Sequence, residues 1–316
     1  MVPTTPSRSL GTAVLLLAVI VIGIGVPAPA GASRPVASSS KLAIVAAENF
    51  WGSIVKQLAG DRADVTSIIT NPATDPHTYE PRPSDARHFA SADYVVENGI
   101  GYDAWAQKLL DANPDSHRKV LDVGKFLGVA AGGNPHQWYS PDAVAKFIIR
   151  VSTDLRTIDP AHAAYYRGRE AAYETVALRT YDDLITTIRT RYAGTPVGAT
   201  ESIFTPLADD LKLDLITPER FLDAISEGSE PTAHDKATAD AQIAQRRIKV
   251  LVYNSQNATP DVQALVKEAK AQRIPVTTVT ETLVPSGATF QAWQAKQLRR
   301  LEAALARAVP TQTGNG

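Results

Sequence analysis

The feature that most constrains the fold is an alternation. From Lys41 onward strand-like and helix-like segments take turns, and after a long helical stretch in mid-chain the alternation starts again. "LAIVAA" has the unbroken apolar run of a buried strand. "FWGSIVKQLAG" has helical apolar spacing and ends at Gly60, and "DVTSIITN" is the next strand. "SDARHFASA" is predicted as a helix capped by Ser84, followed by strand "DYVVENG", helix "YDAWAQKLLDAN" and strand "HRKVLDVG". Strands separated by single helices call for a mainly parallel sheet with helices on its faces.

Next come a helix, "SPDAVAKFIIRVSTDLRTIDP", stopped by Pro160, and a longer one from Ala161 to about Tyr192. In the longer one Tyr166, Tyr173, Ala177, Tyr181, Leu184 and Ile188 share a face. A helix of roughly 30 residues is about 45 Å long. That suits a rod between two lobes, although a long surface helix within one lobe has the same pattern. The second alternation has strands "TPVGAT", "KVLVYN" and "IPVTTVT". Its helices are "SIFTPLADDLKL", one opening at Thr232, one capped by Thr259 with Pro260 first, and the closing "GATFQAWQAKQLRRLEAALARAV". The predicted class is α/β: two α/β lobes with mainly parallel sheets, residues 41–160 and 193–309, joined by one long rigid helix, 161–192. Residues 310–316 are a tail.

The N-terminus is of another kind. Arg8 is followed by the apolar run "AVLLLAVIVIGIGV" and then by "PAPAGAS", the pattern of a secretory signal, with cleavage expected after Ala32 and a short linker over 33–40. The run is shorter than the roughly 20 apolar residues of a spanning helix. The sequence holds no cysteine. An exported chain of this composition has no disulfides and no cysteine-borne lipid, so it must be held by an ordinary core. With 32 basic and 33 acidic residues it offers no excess charge for nucleic acid or an anionic membrane.

Ligands of α/β lobes sit at the carboxyl ends of parallel strands. Two stretches there draw notice, "TDPHTYEPRPSD" with His77 and "GNPHQWYSPDAV" with His136. Each reads Pro-His-x-aromatic and then proline. Glu201 follows strand "PVGAT", and Glu281 follows "IPVTTV" one residue on. Two imidazoles and two carboxylates, a pair from each lobe, make a divalent-metal shell. Each residue also has a plain alternative. Proline-rich loops occur without metal, Glu201 can cap the helix that follows it, and Glu281 can be a loop acid. His88, His117, His162 and His234 fall on helix surfaces or loops. The chain has no G-x-S-x-G elbow, P-loop, G-x-G-x-x-G or H-E-x-x-H.

With these residues in place, "DPHTYEPRPSD" and "NPHQWYSPDAV" resemble the two signature loops of the metal-binding solute-binding proteins of zinc and manganese ABC importers, the ZnuA- and TroA-like family. The likeness extends from Lys41 to Val309 in segment order and takes in "LAGD", "DPAHAAYYRGREAAY" and "FQAWQAKQLRRLEAAL". It implies two lobes about a rigid helix, with a metal ion in the cleft as cargo. By motif His77 and His136 take the histidine positions and Glu201 the third. Glu281 stands where the family usually has aspartate. The His-rich loop of zinc-specific members is absent.

The signal pattern and the lack of cysteine make the expected protein exported and non-lipidated, and the resemblance implies a periplasmic or extracytoplasmic monomer that passes manganese or zinc, with iron a poorer fit, to a membrane permease. It implies no enzymatic reaction. The two acids suit manganese, while zinc outranks manganese at most sites whatever the ligands. Two other readings use the same cleft. A zinc-dependent hydrolase would need an open coordination position, with Glu281 as general base. A surface adhesin would hold the metal as a structural element.

Overall fold

The computed structural model describes residues 41–257 and 259–309, and there the strands fall into two four-stranded sheets in which every pairing is parallel. The expected signal, linker and tail (1–32, 33–40 and 310–316) lie outside those residues. The first sheet holds β1 (Leu42–Glu48), β2 (Ala63–Ile69), β3 (Tyr94–Glu97) and β4 (Lys119–Asp122), in the order β2-β1-β3-β4. The second holds β5 (Pro196–Ala199), β6 (Asp214–Leu215), β7 (Val250–Asn254) and β8 (Val276–Val279), in the order β6-β5-β7-β8. Both orders reverse beside their first strand, and in such sheets the crevice for ligands opens at the carboxyl ends flanking the reversal.

Helices α1 (Asn49–Ala59), α2 (Pro83–Ala90), α3 (Ala104–Ala112), α4 (Val123–Leu127) and α5 (Pro141–Ile158) accompany the first sheet. Helices α6 (Ala163–Ala172) and α7 (Arg179–Tyr192) lead to the second, which carries α8 (Thr205–Leu211), α9 (Glu219–Ser226), α10 (Ala233–Ala244), α11 (Pro260–Ala271) and α12 (Phe290–Ala308). Hydroxyl caps start several of them. Ser140 accepts from Ala143 N–H, Thr232 from Asp235 N–H and Thr259 from Val262 N–H. Ser84 is not a cap. Helix α2 begins at Pro83 with Arg82 in the cap position, two residues earlier than expected, and the Asp85 carboxylate satisfies the Arg82 N–H at 2.7 Å.

Both faces of the first sheet are covered. On one, Phe50 stacks on Trp138 at 3.9 Å and Trp51 lies against Phe147 at 4.2 Å. On the other, Val45, Val95, Phe89 and Trp105 form a smaller cluster. The larger cluster continues without a break through Tyr166 and Tyr181 into Val250, Trp293 and Leu298 of the second lobe. The connecting helix is not a uniform rod. Between α6 and α7 the chain makes a π-helical turn, Tyr173–Ala177, with Leu178 N–H bonded to the Tyr173 carbonyl at 3.0 Å. Helix α6 packs on α5 and α1, and α7 packs on α12 and α8.

Glu97 closes β3 with its side chain buried, and burial together with Asp103, Asp122 and Asp111 pushes its carboxyl up to about 8. The folded state therefore holds this proton more tightly than the unfolded chain. Its contribution to stability falls as pH rises from the ordinary carboxylate range to about 8 and is constant above that. Glu97→Gln removes the effect. Thermal melts of parent and variant should separate progressively between about pH 5 and about pH 8, with the variant gaining. A separation that does not change with pH would show that the Glu97 proton plays no part.

Candidate metal centre

His77 sits in the loop between β2 and α2, and polar contacts hold that loop at three points. Asp75 accepts from His77 N–H at 2.9 Å and from Thr78 Oγ1 at 3.2 Å. Tyr79 Oη donates to Asp85 at 2.7 Å. From the second lobe, Gln256 Nε2 donates to the Pro72 carbonyl at 2.6 Å. One side of His77 is open to solvent, and its ring packs edge-on against Tyr102 with centroids 4.6 Å apart. Burial on that side lowers its pKa, while Asp75 and Glu227 act in the opposite sense.

His136 is buried, and its tautomer follows from its neighbours. Asn134 Nδ2 donates to the Ser202 carbonyl at 2.7 Å, so Oδ1 is the atom turned to His136. That oxygen accepts from His136 N–H at 2.9 Å and lies 2.8 Å from Nδ1. An acceptor facing Nδ1 places the proton there and leaves Nε2 with a free lone pair. Burial, with His77 adding to it, takes the imidazole down to about 3, so the ring is neutral at any ordinary pH.

The acids come from the other sheet. Glu201 is buried one residue beyond Thr200 at the end of β5. Its Oε2 accepts from Asn254 Nδ2 at 2.8 Å, and its Oε1 has no hydrogen-bond partner. Glu281 follows Thr280 at the end of β8. Thr280 is pinned across the cleft by Tyr139, whose Oη donates to its carbonyl at 2.9 Å and accepts its N–H at 3.2 Å. Glu281 Oε1 accepts from Asn254 Nδ2 at 2.9 Å, and Oε2 accepts from Tyr102 Oη at 2.9 Å. That second oxygen lies 3.6 Å from His136 Nε2. Burial raises the pKa of both carboxyls, and Glu201 raises that of Glu281 further. The tight loop that delivers Tyr102 is built on Asp103, which accepts from Asn98 N–H at 2.6 Å and Gly99 N–H at 2.8 Å. Gly99 has φ 75°, and a side chain there would collide with Asp122.

Two hollows share His77, Ser226 and Glu227. One, of about 240 Å³, is lined by His136, Asn134 and Ser202. The other, of about 740 Å³, is lined by Glu201, Glu281, Asn254 and Asp75. The four residues singled out from the sequence therefore face one cleft between the sheets. They do not close into a shell: among the described residues, no three His, Asp or Glu side chains come together tightly enough to hold an ion. Neutral donors engage the acids instead: Asn254 bridges Glu201 and Glu281, and Tyr102 donates to Glu281.

Sequence reasoning passed over Tyr102 and Asn254. Asn254 ends β7 and satisfies the same strand-end rule as Glu201, but a scan for ligating side chains excludes amides. Ser226, the last residue of α9, and Glu227, which follows it, line the cleft; the sequence reading did not include this helix. His117 lies elsewhere, exposed and beside Asp115.

Solved structures share this architecture. A manganese-bound S38A mutant of a periplasmic metal binding protein from Candidatus Liberibacter asiaticus superposes with a TM-score of 0.71 at 20% identity, covering 84% of this chain and 100% of that one. The nickel complex of FpvC from P. aeruginosa gives 0.70 at 20% identity, over 85% and 98% of the two chains. Among curated relatives, the iron-binding protein YfeA of Yersinia pestis is 31% identical over 150 residues, 45% of this chain and 47% of the relative. The manganese ABC transporter substrate-binding lipoprotein PsaA of Streptococcus mitis is 32% identical over 180 residues, 52% and 57%. The matched region thus spans about half the length of these relatives. The family described as "Zinc-uptake complex component A periplasmic" matches residues 44–304, nearly all of the two-sheet body, and the chain belongs to that family.

Proposed function

We propose that the protein is an extracytoplasmic solute-binding component of an ABC importer, which captures one divalent metal ion, manganese or zinc, in the cleft and delivers it to a membrane permease. The observation that carries this is Glu201 Oε1, a buried carboxylate oxygen without a partner, on a residue that lines one hollow with Glu281, beside a second hollow lined by a neutral His136 with its Nε2 free. Burying two carboxyls side by side costs free energy unless a positive charge offsets them. A divalent cation supplies that charge and takes up the imidazole lone pairs. His77, His136, Glu201 and Glu281 are the ligands in this reading. Small side-chain movements complete the shell, with Glu281 leaving Tyr102 or sharing the same oxygen with it.

The family and the relatives' names support cargo binding rather than catalysis. The protein works outside the cytoplasm. PsaA is named a lipoprotein, whereas this sequence has no cysteine to carry a thioether lipid. Oxygen ligands suit manganese, and the general affinity order favours zinc over it.

The test is a competitive titration of metal-stripped protein with manganese and zinc, together with elemental analysis of the protein as isolated. One tight site per chain is the expected result. A protein without a tight site for either ion is not a metal receptor.

A further inference from the structure

Asn254 lies between the two acids. Its amide nitrogen donates to Glu201 Oε2 at 2.8 Å and to Glu281 Oε1 at 2.9 Å, so its two hydrogens are both committed. The amide is itself fixed: Asn254 is 1% exposed, and its Oδ1 accepts from Gln256 N–H at 3.0 Å. One oxygen of each acid is thereby turned toward Asn254. The other two are not bound to Asn254, and both acids line the larger hollow. Glu201 Oε1 is the unpartnered one, and Glu281 Oε2 is the one 3.6 Å from His136 Nε2, held by the Tyr102 hydroxyl, whose hydrogen can turn aside as those of the fixed amide cannot.

Taking the proposed metal reading as given, we infer that Asn254 limits Glu201 and Glu281 to one ligating oxygen each, and so sets the coordination number that the cargo ion meets. Two imidazole nitrogens and two single oxygens make a four-donor shell. If both acids were free to chelate, the shell would rise toward six. Four-coordinate tetrahedral sites suit zinc, and six-coordinate oxygen-rich ones suit manganese. Asn254 is thus a positioning residue that biases the choice of ion without touching it. It offsets the leaning toward manganese that the two acids alone would give.

The test uses Co²⁺ as a spectroscopic probe of coordination number. Four-coordinate Co²⁺ absorbs visible light several-fold more strongly than the five- or six-coordinate ion. The parent protein loaded with Co²⁺ should give the strong four-coordinate spectrum. Asn254→Ala and Asn254→Ser should weaken it several-fold. Both should also move the ratio of zinc to manganese affinity toward manganese by roughly tenfold, the scale on which partners of metal ligands act. Equal intensity in parent and variants overturns the inference. So does a weak, high-coordinate spectrum in the parent, which decides the matter even if neither variant folds. A parent that binds neither Co²⁺ nor zinc nor manganese refutes the metal reading instead, and elemental analysis separates that outcome from the others.

Discussion

His136→Ala lowers affinity for the divalent cargo by more than about a hundredfold, beyond the roughly 10–100-fold that follows loss of a mere supporting partner of a ligand. The reason lies in how the ring is prepared. Asn134 fixes the Nδ1 proton, burial keeps the imidazole neutral, and Nε2 faces Glu281 from 3.6 Å. No proton has to be displaced from this ligand and no rotamer has to be searched, so alanine removes a ligand that is already in position. Competition against a chelator of known affinity, with zinc and with manganese, measures the effect. His117→Ala is the internal control and should leave affinity within about twofold, since its side chain is exposed and lines neither hollow. If His136→Ala bound as tightly as its parent, the assignment of this loop to the site would be wrong.

Trp138→Ala has the largest expected effect on the fold, about 3–5 kcal/mol. Trp138 is fully buried two residues beyond His136 and stacks on Phe50. Its carbonyl accepts from Gln294 Nε2 of α12 at 3.2 Å. Its indole N–H is buried without a partner, and losing that unpaired group offsets part of the lost packing, which favours the lower end of the range. The midpoint of thermal unfolding should drop by on the order of 10 °C. A drop of about a degree would mean that the cavity collapses at little cost. Because Trp138 lies in the cluster that runs through both lobes, the loss should appear as one cooperative transition rather than as early melting of the first lobe.

The regular part of the fold was legible because its signals are local. Buried parallel strands such as β1 and β7 are continuous apolar runs, and Thr232 and Thr259 announce their helices by hydroxyl and spacing. The misreadings are local too. Ser84 looked like a cap because serine usually is one, but Pro83 already has the right backbone angle to open a helix, and the Asp85 carboxylate satisfies the exposed N–H. Strand β6 has two residues, too few to show a period. At the cleft, strand ends pointed to Glu201 and Glu281, and proline-stiffened loops pointed to His77 and His136. Tyr102 and Asn254 carry no such mark. Their importance comes from what lies across from them, residues 179 and 27 positions away in the chain.

The turn at Tyr173–Ala177 contains no glycine or proline, so nothing in its sequence betrays it, and Val176 stands 73% exposed on its outer side. A π turn fits one more residue into its loop than an α turn does, and one residue is worth about 100° of helical phase. Here the extra residue lets the buried side of α6 meet α5 and α1 while the buried side of α7 meets α12 and α8. Each residue of the connector adds about 1.5 Å of rise and about 100° of rotation together, so the distance between the two sheets and the azimuth between them change together. Gain or loss of a single residue there would leave each sheet intact and swing Glu201 and Glu281 out of line with His77 and His136. A change in the connector's length would keep the four side chains aligned only if it came close to a whole turn, as the pitch of a screw constrains its nut.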